Sequence, residues 1–257
     1  CYPLTPETYD DGPNGNNNAM FNTEGTTTVI DSSVYARAFG VRIGLSGASN
    51  TLIMTGGNLD VGVDSNTGMV GRNGGCHLDI CRGFNADPNT TPNPTATFIM
   101  TGGTVRTNGL LIPEQFVDES VDPQPDPNNN YNTAPIYGEF FMSGGTMNAR
   151  WMNVGQFVAD GNAEISGDAV INLKGNVPGD PGNGGHLLMN RDWFINGQPV
   201  QATGTPSLDI RDNAIINIFG SIDEFSPVPL NIDVTNYEGY VSNGWLTADN
   251  DTDDPTI

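Results

Sequence analysis

Lysine is nearly absent from this chain of 257 residues, which holds one, Lys174, and 9 Lys+Arg in all against 30 Asp+Glu, for a net charge of -21. A surface so poor in cations repels phosphate backbones, which excludes nucleic acid as a partner. Long apolar runs are missing too, and no stretch approaches the roughly 20 residues that a membrane-spanning helix needs. Good helix formers are scarce, while 33 Gly and 18 Pro punctuate the chain. The composition predicts an all-β protein. His77 and His186 are the only histidines and no C-x-x-C occurs, so a zinc centre is not expected. Neither G-x-S-x-G nor a phosphate-cradling loop is present.

Three cysteines, Cys1, Cys76 and Cys81, leave one over whichever pair forms. An odd cysteine in an exported protein implies an intermolecular bond or a modified thiol. If the segment between Cys76 and Cys81 were extended, their Cα atoms would lie roughly 16 Å apart, well beyond the ~7 Å limit for a disulfide. That pair therefore forms only across a turn, for which Asn73-Gly74-Gly75 is a candidate. Cys1, as first residue, fits a lipid-modified amino terminus or a bond to a neighbouring subunit. The chain starts without Met or a basic-then-apolar leader. The expected location is extracellular or at the cell surface, after removal of a signal peptide.

What is abundant is aspartate, 22 of the 30 acids, often beside Asn, Gly or Pro. Such residues favour tight turns and can offer oxygens to hard cations. Asp249, Asp251 and Asp253 alternate as in the first half of a calcium loop, but Asp254 stands where the loop needs Gly. This stretch is either a solvated acidic tail or a calcium site completed by a neighbouring subunit.

Recurrence organises the rest. Thr51-Leu-Ile-Met-Thr-Gly-Gly-Asn-Leu-Asp60 returns as Thr97-Phe-Ile-Met-Thr-Gly-Gly-Thr-Val-Arg106 and as Glu139-Phe-Phe-Met-Ser-Gly-Gly-Thr-Met-Asn148, with weaker copies at 163–173 and 207–218. Aligned at Gly56, Gly102, Gly144, Gly167 and Asp212, the spacings are 46, 42, 23 and 45, which suggests a unit of 22–23 residues and two units in most full periods. A second apolar element, at 41–45, 110–116, 151–157 and 186–190, is read as filling the alternate units. Short strands joined by glycine corners at this period predict a right-handed parallel β-helix of nine or ten coils, stacked about 4.8 Å apart around one core. Ile53, Ile99, Phe141, Ile165 and Ile210 should then form an inward stack, with Thr55, Thr101, Ser143 and Ser166 as a ladder at the corner. A β-sandwich explains the alternation but not the period. The expected organisation is an arm or cap over 1–30, a β-helix over 31–220 with insertions near 83–94, 117–135 and 176–185, and a cap with an acidic tail over 221–257.

The M-[TS]-G-G-[TN]-[LVM] elements at 54–59, 100–105 and 142–147 resemble the β-helical repeats of large secreted surface proteins. These are the autotransporter-passenger-like and PEP-CTERM-associated proteins of planctomycetes and their relatives. Residues 230–248, ending Asn243-Gly-Trp-Leu-Thr-Ala248, look like a segment that follows such repeats. Together the two stretches cover about residues 41–248. The resemblance implies an exported, surface-associated structural protein of β-helix type, and it carries no catalytic residues.

Three functions compete. The first is a structural protein that self-assembles head-to-tail into a filament, fibre or sheath, because solenoid ends expose strand edges that must be capped or paired. The second is a carbohydrate-binding or polysaccharide-cleaving β-helix, whose acids would come from Asp60, Asp64, Asp79 and Asp168 with Arg106 and Arg211. Trp151, Trp193 and Trp245 could stack on sugars, although Trp151 and Trp193 lie in the apolar element and are expected in the core. The third is a passenger segment of an adhesin. A non-catalytic role is favoured. Asn89 and Asn250 match the N-glycosylation pattern.

Overall fold

Glycine corners between short alternating strands set the architecture. The computed structural model describes residues 9–10, 17–21, 23–45, 49–62, 77–84, 95–116, 136–156, 159–173, 186–191, 193–195, 198–200, 204, 206–218, 222–224 and 232–234. Among the described residues there is no helix, and so none long and apolar enough to cross a membrane. The strands form a 13-stranded sheet, a seven-stranded sheet and a small antiparallel pair, Trp193–Ile195 with Gln198–Val200. In the two large sheets the described ladders are parallel, apart from Tyr9–Asp10 against Asn17–Phe21.

The chain visits three columns of strands in a fixed order. The stretch beginning at Ile136 shows this without interruption. It runs along Tyr137–Met142 in the first column, turns at Ser143-Gly144-Gly145, crosses the second and third columns as Thr146–Gln156, and returns to the first at Asp160–Ile165. Tyr137 pairs with Asp160, 23 residues on. The first column is the seven-stranded sheet. The second and third are halves of the larger sheet, joined where Thr104–Ile112 and Thr146–Gln156 run through both.

Alternation along each strand places one face in the core. In the first column Leu52, Phe98, Phe140, Ala163 and Leu208 stack in one buried row, and Met54, Met100, Met142, Ile165 and Ile210 in the next. The second column adds Leu59, Val105, Met147, Ile171 and Ile216, and the third Val41, Leu78, Leu110, Met152 and Leu187, all buried. Phe98 and Phe140 stack with centroids 5.5 Å apart and planes at 22°.

The M-[TS]-G-G motif has a steric origin. Gly57, Gly103 and Gly145 adopt φ of 74°, 89° and 86°, which L side chains avoid. A Cβ on Gly103 would lie 2.7 Å from the Gly57 carbonyl oxygen and 2.7 Å from Cε of Met54, one strand away. At Gly145 the intruding atoms are the Gly103 oxygen and Cε of Met100, at 2.6 and 2.8 Å. Each methionine thus fills the space beneath the next glycine corner.

Three expectations from sequence need correction. Ile53, Ile99 and Phe141 face outward and are half-buried; their register partners are Glu164 and Asp209, not Ile165 and Ile210, which lie in the methionine row. A slip of one residue exchanges the faces of a strand. Second, Thr51 pairs directly with Thr97 and Asn162 directly with Ser207, so the 46- and 45-residue periods are single passes lengthened by insertions. The second apolar element is the third column of the same pass, and the first column holds seven strands among the described residues. Third, Asn17–Phe21 and Thr27–Ile30 already lie in the parallel sheets, as do Ile222–Glu224 and Ile232–Val234. The boundaries at 30 and 221 therefore cut through sheet. Residues 85–94, 117–135 and 176–185 of the expected insertions lie outside the described residues.

Candidate functional site: a polar ladder

On the outer face of the second column one register position carries Arg37, Asp60, Arg106, Asn148, Asn172 and Asn217 in successive strands. All follow a corner by the same few residues, and parallel pairing stacks them. Arg106 grips Asp60 with two bonds, Nε to Oδ1 at 2.7 Å and Nη2 to Oδ2 at 2.5 Å. The Tyr35 hydroxyl donates to Oδ2 at 2.5 Å. Two parallel charge-assisted bonds fix geometry as well as charge.

Burial of Asp60 raises its pKa, but the bonds from Arg106 and Tyr35 outweigh it and hold the carboxyl below its ordinary value. Donation to Asp60 raises the pKa of Tyr35, and the same carboxylate raises that of Arg106. A lowered carboxyl pKa in the folded state contributes stability above the unfolded value near 3.9, and this is lost as pH falls through the folded value.

Further along, Asn172 Nδ2 donates to Asn148 Oδ1 at 3.0 Å and Asn217 Nδ2 to Asn172 Oδ1 at 2.9 Å. Both bonds run in one direction. Asn172 thus gives an N–H to the preceding strand and accepts one from the following strand, and Asn217 Oδ1 belongs to the last described strand of this row. Among the described residues the second column ends there. Its terminal strands, Tyr35–Ala38 and Ile215–Ile218, each have one partner strand among the described residues. Tyr35 and Val29, at 55% and 52%, are exposed on the first of these passes.

The third column differs, because its outer face is covered. Asp79, Leu111 and Asn153 point away from the core in one row yet are 1%, 0% and 0% exposed, and Leu111 stands apart from the main core cluster. Arg42 Nε lies 3.6 Å from Asp79 Oδ2. Asn153 Nδ2 donates to Gln156 Oε1 at 3.2 Å, while Asn153 Oδ1 and Gln156 Nε2 are buried without a hydrogen-bond partner among the described residues. Trp151 is half-buried on this side rather than in the core where the sequence put it. Its indole covers Gly109, where a Cβ would meet it at 2.6 Å, and meets His77 edge-on at 5.0 Å and 72°.

Of the acids and arginines named from sequence, Asp60 and Arg106 come together. Asp79 sits with Arg42 in the next column, Asp168 accepts from Asn213 Nδ2 at 3.3 Å, and Arg211 pairs with Glu164 and Asp209 at 2.6 and 3.0 Å. The Arg211 pairs are exposed, where such contacts contribute about 1 kcal/mol or less. Cys81 is buried, and no disulfide joins it to another described residue. Burial pushes its pKa up to about 12, against hydrogen bonds with the backbone of Ala96 and Tyr137. Cys1, Cys76, Asp64, Asn89, Trp245, Asn250, Asp249, Asp251 and Asp253 lie outside the described residues, and so does the Trp193 side chain. Among the described residues no three His, Cys, Asp or Glu are grouped to hold a metal ion. The asparagine ladder escaped the sequence reading, although Asn148, Asn172 and Asn217 recur at one place after their corners.

Comparison with protein-family models, with curated proteins and with solved structures returns no match for this chain.

Proposed function

We propose that the chain is a right-handed parallel β-helix with a structural, non-catalytic role outside the cell, assembling head-to-tail into a filament, fibre or sheath. The observation that carries this reading is the register: three strand columns repeat in parallel through successive passes, like side chain over like. Right-handed crossovers between parallel strands are the rule, and a stack whose two ends differ makes a contact that propagates without closing. The family resemblance of the M-[TS]-G-G repeats points to the same surface role. Calcium held at Asp249, Asp251 and Asp253 would relieve the self-repulsion of a body carrying a net charge of -21. Negative-stain micrographs of the purified protein should show filaments in calcium, shortened or absent after chelation. Dispersed single particles under both conditions would refute the assembly.

A second reading, carbohydrate contact at the cell surface, is favoured by the outward placement of Trp151 against His77, since half-exposed indole rings stack on sugar faces. Retention on a glycan array, lost in Trp151→Ala, would support it.

A further inference from the structure

We infer that the outer face of the first column, over Thr27–Ile30, Thr51–Met54, Thr95–Met100 and Tyr137–Met142, is a platform for a flat, uncharged, β-1,4-linked polysaccharide chain of the cellulose type lying along the stack axis. The inference rests on the reading of carbohydrate contact at the cell surface and goes beyond it, naming a second face and a ligand class.

Register builds the face. Val29, Ile53, Ile99 and Phe141 are partners in successive strands and point outward as one apolar row. Val29 is 52% exposed and the other three are half-buried, so the row keeps apolar surface in water. Two residues before it stand Thr27, Thr51 and Thr97. Two residues after it Thr55, Thr101 and Ser143 carry the ladder into the corner, all three exposed. Hydroxyl rows thus flank the apolar row on both sides, each at about 6.6 Å, two residues of strand. Thr97 Oγ1 donates to Glu139 Oε2 at 2.9 Å and Thr55 Oγ1 to the Ile30 carbonyl at 3.5 Å, which leaves their lone pairs to accept from a ligand.

Charge stands at two opposite corners of this grid, Asp31 and Glu139. Beyond Phe141 the same row turns to Glu164 and Asp209, which pair with Arg211. On a chain with a net charge of -21, an uncharged area edged by carboxylates turns away acidic glycans and offers a cation no partner inside it. An exposed apolar area with a polar rim marks a contact surface, and here the rim selects the partner. Sugar rings of an extended β-1,4-linked chain follow one another at close to the strand spacing of about 4.8 Å. They carry C–H groups on their flat faces and turn over at each linkage, which lines both edges of the chain with hydroxyls. Rings set over the apolar row shed water from those faces, and the edge hydroxyls exchange hydrogen bonds with the Thr and Ser rows.

The test is depletion of the full chain from calcium-free solution by microcrystalline cellulose. The unsubstituted protein should be retained and then released by soluble cello-oligosaccharide. I53E/I99E sets two carboxylates in the row, as Glu164 does further along, and should lower retention about tenfold with circular dichroism unchanged. T51V/T101V removes two hydroxyls while keeping β-branched side chains suited to strands, and should lower it several-fold. Glu164→Gln, in the same row but beyond the patch, should bind as the unsubstituted protein does. Full retention in both I53E/I99E and T51V/T101V would overturn the platform. So would failure of the unsubstituted protein to bind cellulose. If a glycan array then shows retention that Trp151→Ala abolishes, carbohydrate contact stands on the other face alone; if it shows none, both readings fall. A dimer in sedimentation that I53E/I99E splits, without retention on cellulose, would assign the face to a second copy and overturn the glycan.

Discussion

Replacing Phe140 with alanine should lower the unfolding free energy by about 3–5 kcal/mol. Phe140 has no exposed surface, stands near the middle of the inward row of the first column, and stacks on Phe98 at 5.5 Å. Truncation removes the ring from a row whose next member, in register, is the small Ala163. Ala163 has no long side chain to swing into the void, so a cavity persists on that side. In a stacked architecture each repeat touches only its neighbours, and a lesion at this place weakens the junction between the two halves. Urea unfolding followed by circular dichroism should therefore show a lower midpoint and a broader or split transition. A loss below about 1 kcal/mol would mean that Phe140 lies outside a close-packed core.

Gly161→Ala should be comparably severe for the opposite reason. The position is buried, and a Cβ there would lie 2.0 Å from the Ile112 carbonyl oxygen and 2.8 Å from the Gly155 nitrogen. Both obstacles are backbone, so no rotamer change relieves them and the first column must move away from the bend of the third. The expected cost is about 3 kcal/mol or more, at the upper end of overpacking effects. Gly25→Ala provides the contrast, because Gly25 has φ 71° but nothing within 4 Å of the added carbon. There only the left-handed backbone is penalised, by about 1–2 kcal/mol. Equal losses at the two sites would show that the close approach at Gly161 is absent.

Much of the sheet was legible because its constraints are local. Glycine pairs after a methionine announce a corner that a Cβ would block, and the strict alternation on either side announces strands with one buried face. The faces themselves were less secure. Aligning Ile165 and Ile210 with Ile53 ignores that both precede their corner by two residues, as Met54 does. Pass length misled more seriously: the inserted segments are about as long as a pass, so a lengthened single pass imitates two short ones. Only the pairing of Thr51 with Thr97 separates these cases. Of the candidate site, Asp60 and Arg106 were visible as charged residues, but their union across 46 residues of sequence depends on register. The asparagine ladder was overlooked because single amides in strands carry little signal until they are stacked.

Parallel stacking of successive passes is the claim on which the core, the ladder and the assembly all depend, and one engineered bond tests it. Thr51 and Thr97 are register partners on the outer face of the first column, whereas Glu139 lies one strand further on. With Cys1→Ser and Cys76→Ser in place, mild oxidation of T51C/T97C should close an intramolecular disulfide, found by peptide mapping without reductant. T51C/E139C, spanning roughly 9.6 Å across two strand spacings, should not close. An open T51C/T97C pair, or a bond that forms instead in T51C/E139C, would contradict the parallel register.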